Sequence, residues 1–313
     1  MPTVYDRYVL LANQVEDAAQ RGASTKDAVK FLQSVLGGFC KQEFASLLAI
    51  SGYIPDYYPP DSWQETLYSK FVELLVCEWA KRIGFDDSYL PTQKSSTEDI
   101  TIADSDHVIV GDAKSFRLGR SQAAPNVKDV VKQGDFPKWL RRHTGKKKLG
   151  GIVAFPSLFE WKTGSDVHIY LTDSDTKILM LYYEHMAFIL KCGMKKESLI
   201  QYFEIHNTLF LAHHTTKSEC KRQYHQVLNQ FFFSKHKDEY DKFIAQTKRD
   251  IQQLKANALN TLDKRIATIR TGVDNEIEEF DDFDSLKQFV AKKLGEERTE
   301  DLRRIRENIV KFR

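Results

Sequence analysis

The 313-residue chain carries 46 Lys and Arg against 44 Asp and Glu, so its charge is nearly balanced. This excludes a generally basic protein, and a polyanionic partner must be met by a local patch. The chain has no run of about 18 apolar residues and no leader-like N-terminus, which predicts a cytoplasmic protein with no membrane partner. The four cysteines lack metal-ligand or redox spacing and are predicted to be reduced.

Residues 1–52 are predicted to form a helical N-terminal segment. Ser24 or Thr25 is suited to cap a helix whose apolar residues keep helical spacing as far as Gly37. A second short helix is predicted around Phe44. The segment offers packing surfaces and no candidate chemistry.

An aromatic, proline-rich loop leads into a predicted helix from Trp63 to about Ile83. Ser62 and Glu65 fit a capping box, in which each side chain satisfies a free backbone amide of the first turn. Glu65 also falls at the edge of the apolar stripe of this helix, whereas Glu73 falls about 80° further round, on the polar side. Glu65 is therefore predicted to be an active-site carboxylate, with helix capping as its alternative role.

Two β-rich runs, 100–103 and 107–113, flank a turn cluster and predict a β-hairpin. If the hairpin is centred between Ser105 and Asp106, the numbers of two paired residues sum to 211. Asp99 then lies directly across from Asp112. Opposed residues share a face with Cβ atoms roughly 4.5 to 5.5 Å apart. Lys114, two residues beyond Asp112, points to the same face because strand side chains alternate.

This arrangement of side chains predicts metal-assisted chemistry on a phosphate. Two carboxylates this close repel each other unless a cation lies between them, and their oxygen ligands suit Mg²⁺. Asp99 and Asp112 are thus candidate metal ligands. Lys114 is suited to orient the attacking water or to offset charge on the phosphate. The alternative is a solvated Asp and Lys beside a turn.

The stretch from Lys114 to Lys148 is strongly basic, with Asp129 and Asp135 as its acidic residues. Its eleven basic residues are Lys114, Arg117, Arg120, Lys128, Lys132, Lys138, Arg141, Arg142, Lys146, Lys147 and Lys148. Such density attracts a phosphate backbone, although a solvated basic loop is the alternative. Side chains of this stretch are also suited to base edges. The predicted DNA contacts are Arg117, Arg120, Ser121, Gln122, Asn126, Lys128 and Lys132.

Further strands are predicted at 150–155, 167–171 and 178–181, before a helix at 184–192. With the hairpin they build a mixed sheet of about five strands flanked by helices, which is an α/β (α+β) fold. From about 215 the pattern is helical. The predicted organisation is a helical segment at 1–52, a core at 53–214 and a helical region at 215–313.

Three adjacent phenylalanines, Phe231, Phe232 and Phe233, cannot all face one core at helical spacing. Either a second helix or another subunit must therefore cover them.

Four segments, QETLYSK, STEDI, GDAKSFRLGRSQAAPNVKD and YYEHMAFIL, carry a family resemblance. Residues from about 53 to 192 resemble the HindIII-type restriction endonucleases of the PD-(D/E)xK nuclease superfamily. The resemblance implies a restriction-endonuclease-like core, with Asp99 and Asp112 as the metal-binding carboxylates and Lys114 as the catalytic lysine. It also supports an active-site role for Glu65, which stands at the Q-E position.

The resemblance further implies a type II restriction endonuclease acting in a bacterial cytoplasm. We expect Mg²⁺-dependent cleavage of double-stranded DNA at a short palindrome, with AAGCTT as the first candidate, to leave 5′-phosphates. No organic cofactor is expected, and a palindromic target implies a homodimer. The alternatives are another PD-(D/E)xK nuclease acting on branched or damaged DNA, and a non-catalytic DNA-binding protein on the same fold.

Overall fold

The computed structural model describes residues 3–21, 24–55, 57–59, 61–92, 97–117, 127–157, 165–172, 177–210 and 216–311. The chain forms two compact units, Met1–Lys255 and Ala256–Arg313. The division at residues 52 and 214 remains a prediction. Within the described ranges, no helix is long and apolar enough to span a membrane.

Three N-terminal helices begin the first unit: α1 (Val4–Gln20), α2 (Thr25–Gly37) and α3 (Lys41–Leu48). The Ser24 side chain accepts a hydrogen bond from the backbone N–H of Asp27, so the predicted cap of α2 is confirmed. Both α1 and α2 pack against helix α4 (Trp63–Ile83). The N-terminal segment therefore shares a core with the helix that follows it.

Helix α4 starts at its Ser62 cap and ends at Gly84, whose left-handed backbone (φ 111°) stops the helix. It packs against α1 and α2 and also against the central sheet. Every residue from Phe71 to Cys77 is buried. A helix surrounded in this way has no solvent-facing side along its middle, so a charged residue there is forced inward.

The predicted hairpin is confirmed with its register. Strands β2 (Ile100–Ala103) and β3 (His107–Ala113) are antiparallel, and Ile100 lies opposite Gly111, a pair that sums to 211. Asp104 closes the turn, because its Oδ1 accepts the backbone N–H groups of Asp106 and His107 at 2.9 and 2.7 Å.

Two further strands, β5 (Lys147–Phe155) and β6 (Ile178–Tyr182), run parallel to β3 and give the sheet the order β2-β3-β5-β6. A separate parallel pair joins β1 (Tyr53–Ile54) to β4 (Phe116–Arg117). The mixed sheet flanked by helices confirms the predicted α+β class. In the described part of the chain, its main sheet has four strands.

The strand predicted at residues 167–171 is wrong, because the segment is the helix α7 (Val167–Leu171). Its β-branched and aromatic residues favour a strand locally. Val167, His168 and Leu171 are nevertheless buried while Ile169 is 44% exposed, which is helical spacing and not alternation. Tertiary packing against the helix that contains Tyr224 overrides the local preference.

The remaining helices complete both units. They are α5 (Val127–Val130), α6 (Phe136–Arg142), α8 (Tyr183–Lys191), α9 (Lys196–Leu209), α10 (Lys217–Leu228), α11 (Lys237–Glu278) and α12 (Phe283–Lys311). Helicity from residue 215 onward is thus confirmed for the described residues. Phe232 and Phe233 are buried in a π-helical turn after α10, and the Phe231 ring packs on Tyr202. Packing within the chain therefore covers Phe232 and Phe233.

Gly151→Ala is expected to lower the free energy of unfolding by about 1–3 kcal/mol, the usual effect of overpacking a filled core. A Cβ at Gly151 would overlap the buried ring of Phe136, which brings α6 onto strand β5. The midpoint of thermal unfolding, followed by circular dichroism, measures the effect.

Gly134→Ala is the matched control. Among the described residues, no heavy atom lies within 4 Å of the Cβ that it would add. Its stability is expected to stay within about 0.5 kcal/mol of wild type. Equal stability of the Gly151→Ala and Gly134→Ala proteins would contradict the packing described for α6.

Candidate active site

Lys114 follows the end of strand β3, and its backbone is fixed on both sides. Its N–H donates to the carbonyl oxygen of Ala154 at 2.9 Å, and its own carbonyl oxygen accepts from the Tyr183 hydroxyl at 2.9 Å. Tyr183 is fully buried at the start of α8. The Lys114 ammonium nitrogen lies 2.8 Å from Oδ2 of Asp112. Both residues of the D-x-K motif therefore face one site.

Asp112 is only 1% exposed, so bulk water does not solvate its two carboxylate oxygens and their neighbours in the protein determine what they bind. Oδ2 lies 2.8 Å from Nζ of Lys114 and 3.5 Å from Nζ of Lys132. No N–H or hydroxyl group of the described residues donates a hydrogen bond to Oδ1. A buried carboxylate oxygen without a donor is a natural ligand position for a cation.

Asp99 comes together with Asp112 as the hairpin register predicts. Its Oδ2 accepts the backbone N–H of Ala113 at 3.2 Å. Burial is the main cause that raises the pKa of Asp99, to about 8, followed by a hydrogen bond with the Asp112 carboxylate and by the negative charges of Asp112 and Glu73. The carboxyl group of Asp99 is therefore largely protonated near pH 7 when no metal is bound.

Glu73 brings a third carboxylate toward this pair from the middle of α4. It is 6% exposed, and Nζ of Lys70 contacts both of its carboxylate oxygens at 2.8 and 2.7 Å. Burial raises the pKa of Glu73, Lys70 opposes the rise, and Asp112 adds to it. The expectation that Glu73 lies on a polar side was wrong, because packing surrounds α4. The sequence feature that could have indicated the burial of Glu73 is its place inside the apolar run FVELLVCEW.

Glu65 has other partners. Its Oε1 accepts from Nε of Arg117 at 2.9 Å, and its Oε2 accepts the backbone N–H of Asp61 at 2.7 Å. The Ser62 hydroxyl accepts the backbone N–H of Glu65 at 3.2 Å. The hydrogen bond from Arg117 is the main cause that lowers the pKa of Glu65. In this geometry Glu65 serves the helix start and Arg117.

The predicted DNA contacts divide into three groups. The guanidinium of Arg117 donates to Glu65 and to the carbonyl oxygens of Tyr58 and Pro59 at 2.8 and 2.9 Å, so three of its five N–H groups bond within the chain. Lys132 contacts the site itself, because its Nζ lies 3.5 Å from Oδ2 of Asp112. Arg120, Ser121, Gln122 and Asn126 lie outside the described residues, as does the side chain of Lys128.

The hairpin turn holds an acidic cluster that could bind a metal ion. Asp104, Asp106 and His107 are, in the described part of the chain, the one group of three possible ligands with atoms within 4.8 Å of one another. Burial acts to raise the pKa of Asp104, but hydrogen bonds from Lys196 and the turn amides lower it to about 2. These donors tie the Asp104 carboxylate into the turn, at the other end of the hairpin from Asp99.

Sequence comparisons identify the family of the chain. The sequence model of the HindIII restriction endonuclease family matches residues 10–294. The chain is also similar to the type II restriction enzyme HindIII of Haemophilus influenzae (strain ATCC 51907 / DSM 11121 / KW20 / Rd). The two are 22% identical over 242 residues, which cover 77% of this chain and 75% of that enzyme. The match spans both units, so the chain belongs to the HindIII restriction endonuclease family and is a site-specific deoxyribonuclease.

Proposed function

We propose that this chain is a Mg²⁺-dependent type II restriction endonuclease that cuts double-stranded DNA at a short palindrome and leaves 5′-phosphates. AAGCTT is the first candidate for its target. The observation that carries the proposal is the convergence of Asp99, Asp112 and Lys114 at one end of the hairpin.

Asp99, Asp112 and Glu73 are the proposed metal ligands. The buried Oδ1 of Asp112, to which no N–H or hydroxyl group of the described residues donates, fits a cation, and carboxylate oxygens suit Mg²⁺. When bound, Mg²⁺ supplies positive charge that stabilises the charge developing on the phosphate. Glu73 is proposed in place of Glu65 as the carboxylate from α4, because Arg117 and the helix start occupy Glu65.

Lys114 is the proposed catalytic lysine. Its ammonium orients the attacking water and offsets negative charge on the phosphate. The water oxygen forms a bond to phosphorus while the bond from phosphorus to the 3′-oxygen breaks in line. The attacking water gives up a proton to solvent, the 3′-oxygen takes one up from solvent, and the phosphate stays on the 5′ side. The hydrogen bonds to Ala154 and Tyr183 hold the lysine backbone in place during this step.

Metal binding near pH 7 is expected to release about one proton, because metal ligands must be ionised and the pKa of Asp99 is raised to about 8. Metal affinity should therefore rise as the pH increases toward 8 and then level off. Titration calorimetry of the DNA-free protein with Mg²⁺, in two buffers of different ionisation enthalpy, measures the number of protons released.

Asp99→Asn removes the titrating group together with a proposed ligand, so its binding of Mg²⁺ should be weaker, and the heat that remains should not depend on the buffer. If wild-type protein gives the same heat in both buffers at pH 7, Asp99 is not the group that yields a proton to the metal.

The residues after Lys114 are proposed to hold the DNA. Arg117 and Glu65 anchor the start of this segment, because Arg117 ties it to α4 and to the loop before α4. Base contacts are assigned to the polar residues that follow the anchor. These are Arg120, Ser121, Gln122, Asn126 and Lys128. Because chromosomal and invading DNA both lie in the bacterial cytoplasm, we place the enzyme there.

A second copy of the chain is the proposed partner, because cutting both strands of a palindrome suits a twofold dimer. Helix α11 carries an exposed apolar stripe, and its residues recur at steps of three and four, the spacing of helix–helix seams. The exposed fractions are 62% for Leu259, 39% for Leu262, 47% for Ile266, 66% for Ile269 and 47% for Val273.

The double variant Ile266→Glu, Ile269→Glu is expected to have a monomeric mass at micromolar concentration and to accumulate nicked plasmid. Because both side chains are about half exposed or more, the fold should be retained. Sedimentation velocity measures the mass. The matched control is Lys264→Glu, also on an exposed position of α11, and it should keep the wild-type mass. A wild-type protein that is monomeric with DNA bound would contradict the dimer.

Digestion of a plasmid of known sequence with Mg²⁺, followed by sequencing of the ends, tests the proposed function. The expected result is a single class of palindromic site with 5′-phosphate ends and no product when EDTA replaces Mg²⁺. Cutting of branched or mismatched DNA, without a fixed site on plain duplex, would identify a different nuclease activity. Absence of any Mg²⁺-dependent cutting would identify a DNA-binding protein.

A further inference from the structure

Lys132 places a second ammonium group at Asp112. Its Nζ lies 3.5 Å from Oδ2 of Asp112 and 5.7 Å from the centre of the Trp139 ring. The Lys132 side chain remains 35% exposed, whereas Asp112 is buried. The lysine therefore connects the metal-ligand carboxylate to the surface of the protein.

The backbone around Lys132 is fixed, so this contact is built into the fold. The Lys132 carbonyl oxygen accepts the N–H groups of Asp135 and Phe136 at 2.9 and 3.3 Å. The neighbouring Val131 and Phe136 side chains are buried. With its Cα held in this way, only the flexible four-carbon stem decides where the ammonium points.

Positive charge at Asp112 opposes the binding of a divalent cation to the same carboxylate. Lys114 must remain there for catalysis, whereas Lys132 has no role in the proposed cleavage step. Its partial exposure within the basic stretch from 114 to 148 leaves its ammonium within reach of a phosphate. A bound phosphate and Asp112 would then compete for one ammonium group.

We propose that Lys132 is a positioning residue that couples DNA binding to metal binding. Without DNA, its ammonium neutralises Asp112 and weakens the affinity of the site for Mg²⁺. A DNA phosphate draws the ammonium away, and the carboxylate becomes free for the metal. By thermodynamic reciprocity, bound metal must then tighten DNA binding by the same factor. This inference rests on the proposed function, since it takes DNA and a divalent cation as the ligands.

The first test needs no DNA. Titration calorimetry with Mg²⁺ is expected to show roughly tenfold tighter binding to Lys132→Met protein than to wild type, within the usual range of coupling between sites. Lys132→Arg keeps the charge and should bind Mg²⁺ as wild type does. Lys217→Met removes a 50% exposed lysine that pairs with Asp166, and it should also leave Mg²⁺ affinity unchanged. Lys132→Gln repeats the test if the methionine variant is unstable.

The second test measures the affinity for a labelled duplex that carries the cut site found by end sequencing. Fluorescence anisotropy compares EDTA with Ca²⁺, and a gel checks that the duplex stays intact. Ca²⁺ should tighten DNA binding by wild-type protein at least about tenfold more than by the Lys132→Met variant.

Unchanged Mg²⁺ affinity in the Lys132→Met protein, with DNA binding weakened equally in EDTA and in Ca²⁺, would overturn the coupling and leave Lys132 an ordinary phosphate contact. Because the Mg²⁺ titration contains no DNA, it decides the effect of Lys132 on the metal site even if the chain cuts no DNA.

Discussion

Lys114→Ala protein is expected to bind its target duplex with near wild-type affinity and to cut it at least about 10³-fold more slowly. The ammonium lies 2.8 Å from Asp112, where it can act on the water and the phosphate, whereas one lysine contributes little to a DNA interface rich in basic residues. Single-turnover cleavage with excess enzyme isolates the chemical step, and anisotropy in EDTA measures the affinity.

Lys217→Ala, on an exposed lysine of α10, is the matched control and should cut at the wild-type rate. The thermal midpoint of the Lys114→Ala protein checks that the hydrogen bonds to Ala154 and Tyr183, which use only backbone atoms of Lys114, keep the site folded. Cleavage at the wild-type rate by pure Lys114→Ala protein would remove Lys114 from the mechanism.

Glu73→Gln is expected to slow cleavage by about 10²- to 10³-fold, because it removes the charge of a proposed metal ligand and leaves Lys70 without its counterion. Mg²⁺ affinity, measured by calorimetry, should fall in the same variant. The change preserves the volume of the side chain, so the packing of α4 is retained and the effect can be assigned to charge.

The counterpart is Glu65→Gln on the same helix. It weakens the contact with Arg117 and should lower the free energy of unfolding by about 1 kcal/mol while slowing cleavage less than about tenfold. A reversed order, with Glu65→Gln the slower enzyme and the weaker Mg²⁺ binder, would return Glu65 to the metal site and leave Glu73 as a structural partner of Lys70.

The hairpin was predictable because each of its determinants is local. The turn cluster from 104 to 106 and the β-rich runs on either side fix the register, and alternation of side chains then puts Lys114 on the face of Asp112. The same reasoning located the Ser62 cap and the start of α4. Features that depend only on residues close together in the sequence, such as the hairpin register and the helix cap, can therefore be predicted without the fold.

The remaining features depend on contacts between distant segments. Helical periodicity assumes one buried face, so it could not predict that α4 is buried along its middle and that Glu73 points inward. Lys132 reaches Asp112 because Phe136 packs on Gly151, a contact that no local pattern encodes. Residues 167–171 have strand-forming side chains but pack as a helix.

The turn at residues 104–106 also bears on how this site can be inherited. A slip of the strand pairing by one residue would turn Asp99 to the face opposite Asp112 while both residues remained in the sequence. A residue gained or lost inside the turn has no such effect, because loops of different lengths leave directly opposed residues on one face. Homologous chains are therefore expected to tolerate turns of different length between the two aspartates, provided that the pairing of the two strands is kept.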